Sequence, residues 1–184
     1  DISTAVTGMC VMSSIHQTIF LGFVDTRSVD GLWNVADAVI SGISVLSSMF
    51  NINDIFVEED LTRFRSGFSS ASTITTLSKI NGIITYAARQ KFAVEPTYVK
   101  SSHARAACGI KLVKPKTVAD KRDPLWTKRQ VFNHIALIDP LIKTLQWPTT
   151  RPSKKNTHGR MRDECFDMID AYVVARAGID GVHS

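Results

Sequence analysis

The stretch that most constrains this chain lies near its end: Arg162-Asp163-Glu164-Cys165-Phe166-Asp167-Met168-Ile169-Asp170-Ala171-Tyr172-Val173-Val174-Ala175. It reads as a helix with an acidic first half and an apolar second half. Residues three or four apart share a helix face, so Asp163, Asp167 and Asp170 are predicted to point the same way. Like charges stacked in this way repel unless a cation lies among them. Asp163 and Glu164 suit the positive end of a helix dipole. Asp170 does not: it lies two turns in, against Ala171, Val173 and Val174.

Charge is distributed unevenly around this acidic segment. From Asp1 to Thr62 there are eight acids and a single base, Arg27. Two later stretches, 111–129 and 143–162, hold 13 of the 22 Lys and Arg residues. Both are rich in Pro, Thr, Ser or Gly and read as loops. Concentrated basic loops near an acidic cluster point to a polyanion partner, of which nucleic acid is the commonest. Cys10, Cys108 and Cys165 form no close pair, which argues against a disulfide framework and for an intracellular, reducing compartment. No apolar run is judged long enough to span a membrane, so no membrane partner is expected. With 184 residues and 44% hydrophobic content, a single domain over 1–184 is expected.

In chain order, residues 1–25 read as a three-strand antiparallel meander, with the start of the first strand expected to lie before Asp1. Helical spacing of Trp33, Ala36, Val39, Ile40, Ile43 and Leu46 predicts a helix over 32–50, capped by Asp30. Ile55-Phe56-Val57 is a short core strand ending in the acids Glu58, Glu59 and Asp60. A second helix spans 69–90, and mid-helix Gly82 suggests close packing on a sheet. Phe92 to Lys100 reads as a strand with a Pro break, 103–109 as a short helix, and 126–145 as a helix broken at Pro140. Arg63, Phe64, Arg65 and Phe68 mix basic and aromatic residues in a loop, a combination that grips phosphates and stacks on bases or else plugs a core. Strands alternating with helices predict an α/β fold, a mixed sheet with helices on its faces.

Asp1-Ile2-Ser3-Thr4-Ala5-Val6-Thr7-Gly8, Ile55-Phe56-Val57-Glu58, the helix around Gly82, the lysine-bearing segments at Lys100 and Lys128, and Asp167-Met168-Ile169-Asp170-Ala171 occur in an order that resembles the RuvC-type Holliday-junction resolvases of the ribonuclease H-like nuclease superfamily. The resemblance implies a ribonuclease H-like mixed five-stranded sheet flanked by helices. It implies Asp1, Glu58, Asp167 and Asp170 as catalytic metal ligands, with Asp163 in reserve for Asp167 and Glu59 as the alternative to Glu58. Lys100 and Lys128 would then meet the scissile phosphate. The chain departs from the family's pattern in two long basic insertions and in Leu61, which stands where the family has an aromatic residue.

Converging carboxylates call for cations. Two Mg2+ ions roughly 3.5–4 Å apart are expected, with Mn2+ as a substitute, because the donors are all oxygens. Lys111, Lys114, Lys116, Arg151, Lys154, Lys155 and Arg160, with Arg63, Phe64 and Arg65, are the candidate nucleic-acid contacts. The resemblance implies metal-dependent cleavage of branched DNA by a homodimer, since a two-fold junction calls for two sites. The competing reading is a non-cutting scaffold of the same fold on structured RNA or in a larger assembly. A third is a related nuclease with another substrate.

Overall fold

The hairpin that carries Gly8 is built from β1 (Val6–Met12) and β2 (Thr18–Asp25), antiparallel, with Gly8 opposite Phe23 and a bulge between Val11 and Met12. The computed structural model describes residues 1–59, 71–123, 125–150 and 161–182. A long helix follows, α1 (Leu32–Met49), then β3 (Ile55–Glu58), α2 (Ala71–Phe92) and β4 (Pro96–Val99). β3 and β4 pair in parallel, as a strand–helix–strand connection requires. Five helices complete the described chain: α3 (Ser101–Ala107), α4 (Val118–Arg122), α5 (Trp126–Ile138), α6 (Pro140–Thr144) and α7 (Glu164–Val182).

Side chains alternate across a strand, and β1 uses both faces. Met9 packs with Val35, Ala36 and Val39 of α1 and Ile80 and Ile84 of α2. Cys10 and Met12 turn the other way, onto a cluster built from Ile169, Tyr172, Val173 and Val174 of α7 with residues of α3, α5 and α6. The hairpin is therefore sandwiched between helical layers. α7 is buried nearly all round, from Cys165 through Ala177, which makes it the central helix. Phe132 of α5 stacks edge-on against both Trp147 and Phe166, fixing α5 to α7.

Several expectations need correction. The five-stranded sheet is not formed: the described residues make two sheets of two strands each, β1–β2 and β3–β4. A cleft of about 530 Å3, lined by residues of both β1 and β3, keeps the two sheets apart. The meander's first strand reduces to Asp1, which exchanges two backbone hydrogen bonds with Gly8. Thr7 and Gly8 lie inside β1, and the turn is earlier, where the Ser3 hydroxyl bonds Val6 through both its N–H and its carbonyl. Gly31, not Asp30, occupies the N-cap of α1, with φ of 89°. A Cβ at Gly82 would meet nothing within 4 Å, so close sheet packing does not explain that residue.

Phe92 ends α2 rather than opening a strand. Ala93, in the left-handed region at φ 55°, turns the chain into β4. Pro96 starts that edge strand instead of breaking it, because a first-position edge residue has no ladder donor to lose. Pro140 starts α6 under an Asp139 cap. By length and composition α1 is apolar enough to cross a membrane, contrary to the sequence expectation. It packs here against α2, burying Val35, Ala36, Val39 and Leu46, and turns Asp37, Ser41 and Ser48 to solvent.

Candidate metal and nucleic-acid site

The site begins with a glycine. β1 crosses α7 at Gly8 so closely that a Cβ there would lie 2.1 Å from the Asp167 carbonyl oxygen. No side chain fits such a backbone-to-backbone approach. Gly8 also donates its N–H to the Asp1 carbonyl (2.9 Å) and accepts from the Asp1 ammonium (3.2 Å). One residue of β1 thus holds Asp1 on one side and α7 on another.

The consequence is convergence. Asp1, Asp167 and Asp170 can each offer a carboxylate oxygen within 4.8 Å of the others, and all three are partly buried. Asp167 and Asp170 lie one helical turn apart on α7, as their spacing predicts. Glu58, at the carboxyl end of β3, adds its charge to this group. It is one of the charges that push the Asp170 carboxyl upward, and it accepts a hydrogen bond from the Ser101 hydroxyl. Glu59 faces elsewhere: its partner is Lys100, at 4.0 Å.

Asp170 titrates at about 6 rather than in the ordinary carboxylate range. Burial is the main cause; Glu58 and Asp167 push the same way, and Lys128 and Arg105 oppose them. Lys128, in the first turns of α5, sets its ammonium on Asp167 and 3.9 Å from Asp170. Lys128 and Arg105 together do not offset what burial, Glu58 and Asp167 do to Asp170. An all-oxygen, carboxylate-rich donor set of this kind suits Mg2+ or Mn2+.

Other expected residues lie at the rim or beyond the described residues. Lys100 is the N-cap of α3; its side chain is 72% exposed and its ion pair is with Glu59, outside the acid cluster. Asp163 precedes α7 and is exposed, a turn away from the converging acids. Lys111, Lys114 and Lys116 are exposed on the loop before α4. That loop is tied to α5 at Val113, whose N–H donates to Gln130 Oε1 (2.6 Å) and whose carbonyl accepts from Trp126 Nε1 (3.0 Å) and Gln130 Nε2 (3.1 Å). Trp126 and Gln130 flank Lys128 in sequence, so the loop's lysines share α5 with the lysine that meets the acids. Arg63, Phe64 and Arg65 lie outside the described residues, as do Arg151, Lys154, Lys155 and Arg160.

Sequence reasoning missed Ser101 and Arg105, both on α3. The one signal available was position: α3 starts directly after β4, at the same sheet end as Glu58. It also missed a second charge cluster at the start of α7. Glu164 is 1% exposed and pairs with Arg27 (2.8 Å) and Arg162. Arg27 in turn grips Asp25 at the end of β2. This group ties α7 to the hairpin one turn before Asp167.

No family model matches the chain, and no curated protein matches it. Among solved structures, T. thermophilus RuvC in complex with a Holliday junction substrate is similar, with a TM-score of 0.56. The likeness covers 97% of this chain and 91% of that one, at 10% sequence identity. At that identity the likeness establishes a RuvC-like α/β fold and nothing finer.

Proposed function

We propose that this chain is a divalent-metal-dependent endonuclease that cuts phosphodiester bonds in branched DNA. The observation that carries the reading is the meeting of Asp1, Asp167 and Asp170, with Glu58 acting on the same Asp170, in a chain that also exposes Lys111, Lys114 and Lys116 on one loop. A purely structural cluster would balance its charges, and this one leaves Asp170 raised to about 6. The four carboxylates are the residues that would hold the cations. When bound, such ions supply an activated water and stabilise the leaving oxygen.

The chain's own groups do the rest. Lys128 is within reach of both acids and of a phosphate brought against them, where its charge offsets that which develops in the transition state. Ser101 orients Glu58 through its hydroxyl. Lys111, Lys114 and Lys116 hold flanking backbone by charge, so binding is to shape and falls with salt. A homodimer suits a two-fold junction, and exposed Trp33, Val45 and Met49 on α1 offer it an apolar surface.

The reading is tested with a four-way junction, a linear duplex and an RNA–DNA hybrid, each with Mg2+ and with chelator. Mg2+-dependent nicking of the junction is expected. Asp170→Asn should lower it at least about 1,000-fold while junction binding persists. Junction binding with no cutting in Mg2+ or Mn2+ would instead establish the scaffold reading. Preferential cutting of the hybrid would move the substrate.

A further inference from the structure

Apolar burial does not hold the loop that carries Lys111, Lys114 and Lys116: Leu112 and Val113 are 43% and 55% exposed. Hydrogen bonds fix it instead. Gln130 accepts from the Val113 N–H (2.6 Å) and donates to the Val113 carbonyl (3.1 Å), and Trp126 Nε1 donates to the same carbonyl (3.0 Å). A side-chain amide that bonds both backbone groups of one residue copies the pairing of two strands. Just before the loop, Ile110 is buried and gives its N–H to the Arg105 carbonyl (2.8 Å). At its end, the Asp120 carboxylate accepts from the N–H groups of Lys116 (3.2 Å) and Thr117 (2.9 Å). Lys111 follows the first anchor, Lys114 follows the second, and Lys116 belongs to the third. All three lysines are exposed, and no ion pair holds them among the described residues.

Helix geometry says where this loop stands relative to the acids. Trp126 and Gln130 are four residues apart on α5 and share a face. Lys128, two residues from each, projects from roughly the opposite side, at about 100° per residue. That side carries buried Val131 and Ile135 and meets α7, where the Lys128 ammonium sits on Asp167. The loop therefore rides on the face of α5 turned away from α7. A helix with its side chains is about 10–12 Å across. Along one strand of a duplex that width is roughly three base-pair rises. The loop's lysines and Lys128 thus meet different phosphates.

We propose that residues 111–117 form a pre-ordered cradle for one duplex arm of the nucleic acid, and that Gln130 and Trp126 are its positioning residues. Neither touches a phosphate. Together they hold three ammoniums in one arrangement before the arm arrives. A free loop would lose backbone freedom on binding, and this one has lost it already. Charge alone draws any polyanion. Ammoniums at fixed places favour phosphates at fixed places, as a regular duplex offers them. The proposal rests on the nucleic-acid part of the reading above and not on cutting.

The test measures binding to a four-way junction in chelator, with one phosphate at a time replaced by a neutral methylphosphonate. The wild type is compared with the Gln130→Ala, Trp126→Phe double variant, which keeps every lysine. Trp126→Phe alone, which removes one donor and keeps a ring, guards against misfolding. In the double variant the Val113 amide should exchange at least about tenfold faster. Its junction affinity should fall about tenfold. The dependence on particular arm phosphates should be lost, while the salt slope stays, because the charges remain. Trp126→Phe should lie between. Faster exchange with an unchanged phosphate pattern would leave Gln130 and Trp126 as staples of the loop and overturn the positioning role. The phosphates that cease to matter in Lys111→Gln, Lys114→Gln, Lys116→Gln and those that cease to matter in Lys128→Gln should form separate sets; one shared set overturns the opposite-face geometry. A wild type indifferent to every single phosphate, and displaced equally well by a heparin fragment, would assign the loop to polyanions in general and overturn the proposal. Position-dependent binding without cutting in Mg2+ would remove the endonuclease reading and leave the cradle standing.

Discussion

Two acidic clusters sit one helical turn apart on α7, and they are built to opposite rules. Glu164 is almost fully buried, yet two arginines meet it. Burial pushes its carboxyl up, but its own backbone N–H, Arg27 and Arg162 outweigh that, and it titrates below its ordinary range. Asp170 is partly buried and receives one lysine at 3.9 Å, with Asp167, Glu58 and Asp1 crowded beside it. It titrates upward. The first cluster is balanced by the protein itself and holds α7 to the hairpin. The second is left with surplus negative charge at the spot where Gly8 lets two backbones touch. Burial alone does not mark a functional acid; the sign of the resulting shift separates the two clusters.

The largest effect is expected at the contact on which the acid cluster depends. Gly8→Ala drives a methyl group into the Asp167 carbonyl, and neither backbone can yield cheaply. Urea unfolding should show a loss of about 3 kcal/mol or more, and divalent-ion binding should be lost with it. Gly82→Ala is the control. Its Cβ meets open space inside α2, so a gain of up to about 1 kcal/mol is expected.

Neutralising one acid in each cluster should give changes of opposite sign. Glu164→Gln takes the charged partner from Arg162 and one of two from Arg27, which keeps Asp25, and should cost about 1–2 kcal/mol at pH 7. Because the Glu164 carboxyl is depressed, its stabilisation is present above the unfolded value and is lost as pH falls through the folded one. Asp170 runs the other way. Between its unfolded value of 3.8 and its folded value of about 6, the folded protein holds the extra proton. Stability therefore falls as pH rises through that window. Asp170→Asn should stabilise the metal-free protein by about 2 kcal/mol at pH 8, and the difference should vanish below pH 4. Equal signs for the two substitutions would erase the distinction between the clusters.

Why one cluster was legible in the sequence and the other was not follows from chain distance. Asp167 and Asp170 are close in sequence, and helix periodicity alone puts them together. Asp1 and Glu58 came from family resemblance, and it is the Gly8 crossing that brings Asp1 to α7. Arg27 and Glu164 are 137 residues apart, and nothing local links them. The helices were readable because 3.6-residue periodicity is strong in α1, α2 and α5. Sheet pairing was not readable: whether β1 and β3 touch is a non-local question, and the cleft between them left no mark in the composition. Ser101 and Arg105 went unnoticed because a short helix after a strand carries no spacing signal.

Divalent cations sharpen the contrast further. With Mg2+ at ten times its dissociation constant, a single site should add about 1.4 kcal/mol to the stability of the wild type. Asp170→Asn should lose that gain, and Arg27→Ala should keep it despite its lower starting stability. Differential scanning with and without Mg2+ reads both. A gain that survives in Asp170→Asn would remove Asp170 from the ion's ligands.

The smallest effect on stability, and the one most specific to the surface, concerns the lysines of the loop before α4. Lys111, Lys114 and Lys116 are exposed, and no ion pair holds them among the described residues. Replacing all three with Gln should leave unfolding within about 0.5 kcal/mol of the wild type. If each neutralises one phosphate, the log–log slope of duplex-arm binding against salt should fall by about 0.9 per lysine. Lys128→Gln should behave differently. Its ammonium opposes the charge that raises Asp170, so its removal should shift the Asp170 carboxyl further up, read by carbon NMR of that side chain. Surface lysines that leave Asp170 unmoved, beside a Lys128 that moves it, would divide the basic residues as α7 divides the acids, into groups that bind from outside and groups that tune the site. A salt slope unchanged by the triple substitution would take that loop out of the nucleic-acid surface.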